Sequence, residues 1–199
     1  MRIGITGSYA SGKGTVCDFF KGKGAIIIDT DILARELVVP GSPALEKIVT
    51  TFGSEFLNED LSLNRKKLGE HVFSDKKKVT LLNDILHPLI LQETLNRSEN
   101  KALIYIINAP LLFEAGFDRY THPNIVVISS VEQSIERGMK RDGLSKEEIM
   151  NRLSSQFSLN EKIKRADYII DNSDSLEKTR IQAEEIWNNL IISSQKAPK

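Results

Sequence analysis

Five short apolar runs along the chain predict the strands of a β-sheet. Each run is rich in β-branched residues, is bounded by glycine or polar residues, and is too short for a typical helix. The five predicted strands comprise residues 2–6, 25–28, 103–107, 125–128 and 168–170. Because the runs are continuously apolar and do not alternate, we expect strands that are buried on both faces of the sheet.

Apolar residues at helical spacing predict helices between these strands. Residues 13–21, for example, place Val16, Phe19 and Phe20 on one side of a helix. The first strand, this helix and the second strand form a βαβ unit, whose right-handed crossover brings the two strands into parallel pairing. We therefore predict an α/β fold with a five-stranded parallel sheet and helices on both faces.

Residues 32–100 carry no strand pattern and form a predicted helical insertion. Its helices comprise residues 32–39, 43–52, 65–72 and 76–96. Pro88 falls inside the last of these patterns, where we expect it to bend the helix or to start a new segment.

Helical patterns return after the fourth predicted strand, at residues 131–141 and 145–153. Ser145 precedes Glu148 by three residues, which is the spacing of a capping box at a helix start. Ser175 is predicted to cap the last amphipathic helix. Residues 193–199 are polar, and we expect them to form a frayed tail.

Composition narrows the class of protein. The chain has 199 residues, of which 40% are hydrophobic, so it can form one domain with an insertion or two small domains. Lysine plus arginine equal aspartate plus glutamate at 27 each, and this zero net charge gives no reason to expect nucleic acid or a membrane as a partner. No apolar stretch approaches the roughly 20 residues of a membrane span. Without a signal-peptide pattern and with one cysteine, Cys17, in a helical pattern, we expect a cytoplasmic protein.

A glycine-rich loop separates the first predicted strand from the first predicted helix. Residues 7–15 read GSYASGKGT, in which Gly7, Gly12 and Lys13 match the phosphate-binding pattern G-x-x-x-x-G-K-[ST]. Glycines let successive backbone amides turn towards an anion, while the helix N-terminus and the lysine add positive charge. The alternative is an ordinary strand-turn-helix connection that needs glycine. The pattern favours a polyphosphate site and hence nucleotide binding.

One position of the loop departs from this pattern. Gly14 stands where serine or threonine is expected, and the hydroxyl arrives one residue later on Thr15. In this pattern the hydroxyl binds Mg²⁺. Thr15 is therefore the candidate metal-binding residue, either directly or through a water molecule.

Polar residues follow several predicted strands at their carboxyl ends, where ligands bind in an open parallel sheet. Besides the glycine-rich loop, they are Asp29 and Asp31, Asn108 with Glu114 shortly after it, and Asp171 with Asn172. We expect these groups to converge on one cleft.

The same residues supply candidates for phosphoryl transfer from a nucleoside triphosphate. That reaction needs a phosphate cradle, a divalent ion, a group that deprotonates or orients the acceptor, and positive charge near the transferred group. Lys13 and the loop amides form the cradle, and Asp31 is the candidate base. Arg137 and Arg141 are four residues apart on one helix face and are candidate mobile cations. The alternatives are that Asp31 or Asp29 caps the following helix, and that the arginines form a solvated helix face.

Taken together, motifs along nearly the whole chain resemble the dephospho-coenzyme A kinase family. They are GITGSYASGKGT, IIDTDILAREL, GSPAL followed by TFG, LNRKKL, LNDILHPLI, APLLFEAG, ERGMKRDGLS and ADYIIDNS. The resemblance implies a sheet of the P-loop kinase type. It also implies transfer of the γ-phosphoryl group of ATP, with Mg²⁺, to the ribose 3′-hydroxyl of dephospho-coenzyme A, the last step of coenzyme A synthesis.

The resemblance also implies roles for individual residues. Those expected to bind ATP are Ala10, Ser11, Gly12, Lys13, Gly14 and Thr15 at the phosphates and Asn172 near the adenine. Asp31 is expected near the acceptor hydroxyl, and the other expected acceptor contacts are Arg65, His87, Leu112 and Glu114. Taken alone, His87 is also consistent with a structural, hydrogen-bonded histidine before a proline.

The resemblance divides the chain into three functional parts. Residues 1–31, 101–131 and 159–199 form the nucleotide-binding core, residues 32–100 the helical acceptor domain, and residues 132–158 a lid with Arg137 and Arg141. We expect a monomer or a weak homo-oligomer.

Two other functions stay open at this point. One is a related small-molecule or nucleoside monophosphate kinase that uses the same loop and lid with another acceptor. The other is a nucleotide-gated switch without transfer activity, which Gly14 and the neutral Asn108 would suit.

Overall fold

A computed structural model of the chain describes residues 1–196 and the side chains of residues 1–192. Its five strands form one parallel sheet, as predicted. The strands are β1 (Arg2–Gly7), β2 (Ile26–Asp29), β3 (Tyr105–Asn108), β4 (Asn124–Ile128) and β5 (Tyr168–Asp171). Their order across the sheet is β2-β3-β1-β4-β5, so β1 lies in the centre.

The central strand explains why the predicted runs are continuously apolar. In β1, residues from Ile3 to Gly7 are all buried. Ile3 and Ile5 point to one face, where they pack with the helix α1 (Lys13–Gly22) and the helix α9 (Leu176–Lys196). Phe20 and Trp187 lie between these helices and the sheet, with ring centres 5.7 Å apart.

The opposite face of β1 is more polar and closely packed. Thr6 is fully buried, and its hydroxyl donates to the carbonyl of Pro110 at 3.1 Å. Gly4 has no space for a side chain, because a Cβ there would lie 2.4 Å from the Asn124 side chain. The remaining helices of this part of the chain are α6 (Val131–Asp142), α7 (Lys146–Ser154) and α8 (Leu159–Lys164).

The chain divides into two compact units. The sheet and its helices belong to the unit formed by Met1–Ile28 and Asn100–Lys199. The second unit, Asp29–Glu99, is helical and contains α2 (Thr30–Glu36), α3 (Pro43–Phe52), α4 (Arg65–Phe73) and α5 (Lys76–Arg97). In this second unit α5 packs against the other three helices. Its small core is formed by Val38, Ala44, Ile48, Phe56, Leu68 and Val72.

Helix caps account for the element boundaries that the sequence located well. Ser145 and Glu148 form the predicted capping box, since the Ser145 hydroxyl accepts from Glu148 N at 3.2 Å and the carboxylate accepts from Ser145 N at 2.8 Å. The Ser175 hydroxyl accepts from Lys178 N at 3.3 Å, which confirms the cap of α9. That helix is described as far as Lys196, so the predicted tail is helical to that point, and its residues 197–199 lie outside the described residues.

For the helices, the structure corrects one predicted boundary, decides between two alternatives at Pro88 and adds one helix. Helix α2 begins at Thr30 and not at Ile32, because Asp29 caps it. Pro88 lies within one continuous helix, α5, and does not start a new segment. Helix α8, only six residues long, was not predicted. Among the described residues, none of the helices is both long and apolar enough to span a bilayer.

Candidate active site

The glycine-rich loop adopts backbone conformations that glycine favours. Gly12 has a φ of 91° and directly precedes α1, which begins at Lys13. Ala10 also has a positive φ, of 56°, in the left-handed region that residues with a side chain adopt at a cost. Gly7 is required for another reason, since a Cβ there would lie 2.2 Å from the carbonyl oxygen of Val127 on β4. The loop is therefore held tightly between β1 and β4.

Lys13 folds back over the loop that precedes it. Its ammonium donates to the carbonyl of Gly7 at 3.3 Å and to that of Ser8 at 3.1 Å. The positive charge thus lies beside the loop, and the N-terminus of α1 adds its dipole from the other side. This arrangement suits a bound polyphosphate.

Two side chains from distant parts of the sequence fix the middle of the loop. The Asn172 amide donates to the carbonyl of Ser11 at 2.9 Å. Arg137 donates to the same carbonyl at 3.4 Å and to the carbonyl of Asn172 at 3.0 Å. Asn172 is itself buried, and its side-chain oxygen accepts from the hydroxyl of Thr179 at 2.9 Å. Arg137 is therefore held at the loop in this structure, and its predicted role as a mobile cation stays a prediction.

The Asn172 contact also explains why residue 12 is glycine. A Cβ at Gly12 would lie 2.0 Å from the Asn172 amide nitrogen, a distance that no real contact reaches. The predicted role of Asn172 near the adenine stays a prediction, whereas its support of the loop is a direct contact.

Arg141 makes a different set of contacts from Arg137. Its guanidinium donates twice to the neighbouring carboxylate of Asp142, with both distances at 2.8 Å. The hydroxyl of Tyr9, in the loop, donates to the same carboxylate. These hydrogen bonds, that from Arg141 first, lower the pKa of Asp142 to about 2. The Asp142 carboxylate in turn raises the pKa of Arg141 above its usual range.

Thr15, with its hydroxyl, and Gly14, which has no side chain, both lie on the surface at the start of α1. Gly14 and Thr15 are exposed, and a Cβ at Gly14 would meet nothing within 4 Å. Within the described part of the chain, no group of three or more His, Cys, Asp or Glu side chains has the arrangement of a metal site.

Glu114 lies in a buried ion pair behind the carboxyl end of β3. Its carboxylate is 3.1 Å from the ammonium of Lys162, which is 1% exposed, and it accepts from Phe157 N at 2.8 Å. Burial lowers the pKa of Lys162, and the Glu114 charge opposes that shift. The second carboxylate oxygen of Glu114 is buried and accepts no hydrogen bond from the described residues. The expected contact between Glu114 and the acceptor stays a prediction.

Leu112, another expected acceptor contact, lies in the core of the sheet unit. Its side chain is fully buried and would lie 2.8 Å from a Cβ at Gly4. Its backbone groups are also occupied, since its N–H donates to Ala109 and its carbonyl accepts from Phe117 N. Leu112 is therefore a core residue in this structure, and its expected contact with the acceptor stays a prediction.

The other expected acceptor residues lie in the helical unit Asp29–Glu99. Asp29 caps α2, because its carboxylate accepts from Asp31 N at 2.9 Å and from Ile32 N at 3.2 Å. Asp31 itself is exposed in the first turn. This observation excludes the alternative in which Asp31 is the helix cap.

Within this unit Arg65 is exposed and His87 is half-buried. Arg65 begins α4 and donates to the carbonyl of Arg35 at 3.1 Å, and burial lowers its pKa. His87 is half-buried on α5, and burial lowers its pKa although Asp84 opposes the shift. A neutral His87 at pH 7 is therefore expected.

Two features of the site were missed from the sequence. Tyr9 and Arg152 contact each other across a long sequence separation, and no local pattern announces such a pair. Lys162 stands between Glu161 and Ile163, and no local sequence pattern marks it as buried. Only the packing of α8 reveals that it is buried.

The chain is similar to known proteins over most of its length. A profile of the dephospho-CoA kinase family matches residues 1–178. A dephospho-CoA kinase of Bacillus licheniformis is 41% identical over 196 residues, which covers 94% of this chain and 97% of that protein.

Solved structures agree with these relatives. A Thermus thermophilus crystal structure has a TM-score of 0.84 and 30% identity, covering 96% of this chain and 97% of its own. The dephospho-CoA kinase of Campylobacter jejuni has a TM-score of 0.69 and 30% identity, covering 95% of this chain and 96% of its own. With a phosphate loop, a parallel five-stranded sheet and a family match across most of its residues, the chain belongs to the dephospho-CoA kinase family.

Proposed function

We propose that this protein transfers the γ-phosphoryl group of ATP to the ribose 3′-hydroxyl of dephospho-coenzyme A, giving coenzyme A and ADP. The observation that carries the proposal is the family match over residues 1–178. The phosphate loop at the end of β1 supplies the nucleotide site that this reaction needs. ATP use follows from membership in a kinase family.

The loop binds the phosphates of ATP. Its amides and the N-terminus of α1 attract the anion, and Lys13 contributes a full charge beside them. Arg137 is held at the same loop through Ser11 and Asn172, which keeps a second cation in place before the nucleotide binds. Such preorganised charge stabilises the charge of the transferring phosphoryl group.

Asp31 orients or deprotonates the acceptor hydroxyl. It lies two residues after the end of β2, in the first turn of α2, and Asp29 is the residue that caps this helix. Among the other expected acceptor contacts, Arg65 offers charge to the acceptor and His87 offers an uncharged imidazole. Residues 132–158 form the lid that limits access of water to the phosphates.

Mg²⁺ is the expected metal, and Thr15 is the residue that would hold it, directly or through water. An exposed hydroxyl at the start of α1, with no acidic cluster beside it in the described part of the chain, fits an ion bound mostly by phosphate oxygens. Bound there, Mg²⁺ would neutralise charge on the phosphates. We further propose a cytoplasmic location and a monomer or weak homo-oligomer.

Acceptor-dependent release of ADP tests this function. The purified protein is assayed with ATP and Mg²⁺ in the presence of dephospho-coenzyme A, of nucleoside monophosphates, or of no acceptor. We expect ADP release above background only when dephospho-coenzyme A is the acceptor. Release with a nucleoside monophosphate would favour the related kinase activity, and no release above background with any acceptor would reject the transfer reaction.

A further inference from the structure

Tyr9 places an aromatic ring at the outer side of the phosphate loop. The ring is partly buried, and it contacts residues of both α6 and α7, more than 120 positions further along the chain. None of the functions described above requires an aromatic residue at this position.

Two guanidinium groups lie against this one ring. The guanidinium carbon of Arg141 is 5.5 Å from the ring centre, and that of Arg152 is 5.4 Å from it. Cations at this distance are attracted by the negative face of an aromatic ring. The two like charges would otherwise repel each other, so the ring stabilises their presence at the loop.

Asp142 completes the arrangement. It accepts the hydrogen bond from the Tyr9 hydroxyl and two hydrogen bonds from Arg141. One carboxylate therefore joins the loop to the end of α6. The lowered pKa of Asp142 indicates that it keeps its negative charge throughout the physiological pH range.

Close packing also fixes the ring against α6. A Cβ at Gly138 would lie 2.7 Å from Cε1 of Tyr9 and 2.9 Å from Cδ1 of Ile149 on α7. Only glycine at residue 138 lets the ring approach both helices this closely. The position of the Tyr9 side chain is thus restricted by the two guanidinium groups against its ring, by the hydrogen bond from its hydroxyl to Asp142 and by the contact of its ring with Gly138.

We propose that Tyr9 is a positioning residue that holds Arg141 and Arg152 over the phosphate loop, which makes Arg152 a further cation for the phosphates of ATP. Because Tyr9 belongs to the loop that binds the phosphates, its contacts fix the positions of Arg141 of α6 and Arg152 of α7 relative to the phosphate site. The inference rests on the proposed kinase function, but the nucleotide-binding part of it can be tested separately.

Variants of Tyr9 test the positioning role. Tyr9→Leu removes the ring, and we expect about a 10-fold loss of kcat/KM for ATP, from two cation–π contacts of ordinary strength. Tyr9→Phe keeps the ring and loses only the hydroxyl, so a loss of about threefold is expected. KM for dephospho-coenzyme A should stay within about twofold in both variants.

Double variants show whether Tyr9 acts through the arginine. In an Arg152→Gln background, Tyr9→Leu should cost clearly less than it does in the unmodified protein, because the two residues share one interaction. Likewise, Tyr9→Phe should lower kcat/KM for ATP less in an Asp142→Asn background than in the unmodified protein. This second pair tests the proposal if Tyr9→Leu fails to fold. Fully additive losses in both cycles, or unchanged kinetics in Tyr9→Leu, would overturn the proposal.

Calorimetric binding of a non-hydrolysable ATP analogue separates this inference from the proposed function. We expect Tyr9→Leu to raise the Kd for the ATP analogue by about 10-fold, whichever acceptor the enzyme uses. An equal affinity of Tyr9→Leu and the parent protein for the analogue would contradict the positioning role. If Tyr9→Leu binds the analogue more weakly but the parent protein does not phosphorylate dephospho-coenzyme A, only the choice of acceptor is contradicted.

Discussion

Asp31 is the residue on which the proposed chemistry depends most directly. Asp31→Asn removes the basic oxygen and keeps the shape, so we expect kcat to fall by about 10² to 10⁴. ATP affinity should be nearly unchanged. Asp29→Asn is the matched control, since its amide oxygen can still cap α2. Steady-state kinetics decide, and equal turnover in Asp31→Asn and the parent would remove Asp31 from the mechanism.

Gly14 permits a gain-of-function test of the loop. A Cβ there meets no atom within 4 Å, and its φ is not in the left-handed region, so a serine fits without strain. Gly14→Ser returns a hydroxyl to the position that binds Mg²⁺ in the loop pattern. We expect half-maximal activity at a lower Mg²⁺ concentration, by about threefold or more.

Gly14→Ala is the control for this experiment. Like serine, alanine adds a Cβ and has a higher helix propensity than glycine, but it brings no hydroxyl, so the Mg²⁺ dependence of this variant should equal that of the parent. An equal change in both variants would show that the backbone, and not the hydroxyl, controls metal binding.

At the residue scale, the sequence predicted what local patterns carry. Gly12 and Lys13 stand at fixed spacing in the loop, and Asp31 follows directly after a strand. The contacts of Tyr9 with Arg141 and Arg152 could not be predicted, because they depend on how α6 and α7 approach the loop. The burial of Leu112 could not be predicted either, since a motif position does not reveal whether a side chain is buried.

At the scale of elements, α8 shows how a short helix can carry a buried ion pair. Lys162 donates to the carbonyl of Pro110 at 2.8 Å and pairs with Glu114. Lys162→Met leaves the Glu114 carboxylate without its cation, and we expect the free energy of unfolding to fall by about 3 kcal/mol. Denaturant unfolding measures this change.

Lys164→Met is the control on the same helix. Lys164 is exposed, so its replacement should change the free energy of unfolding by less than about 0.5 kcal/mol. Equal effects of the two substitutions would contradict a stabilising role for the buried pair. The sequence could not locate this pair, because six residues are too few for an apolar periodicity to be recognised.

The end of α6 gives a pH dependence with a definite sign. The pKa of Asp142 is lowered from 3.8 to about 2 in the folded protein, so its ionised form favours folding. This contribution to stability is complete above pH 3.8 and is lost as the pH falls towards 2.

Carbon-13 NMR of the side-chain carboxyl group measures this pKa. We expect a midpoint of about 2 in the parent and a midpoint closer to 3.8 in Arg141→Gln, which removes the main hydrogen bonds. A midpoint near 3.8 in the parent would mean that the contacts among Arg141, Asp142 and Tyr9 do not persist in solution.

At the scale of the whole molecule, the strand patterns predicted the sheet because buried parallel strands are continuously apolar. Their order could not be read from these patterns, since a crossover helix can place the next strand on either side. The helical insertion was recognised by its lack of strand patterns. The functional division into acceptor domain and lid stays a prediction, because it concerns ligands and motion that no pattern of apolar residues encodes.

The identity of the reaction product tests the central claim most directly. The protein is incubated with ATP, Mg²⁺ and dephospho-coenzyme A, and the products are examined by mass spectrometry and ³¹P NMR. We expect ADP and an equal amount of coenzyme A, with the new phosphomonoester on the ribose 3′-oxygen. ADP without a phosphorylated acceptor, or a phosphoryl group at another position, would contradict the proposed function.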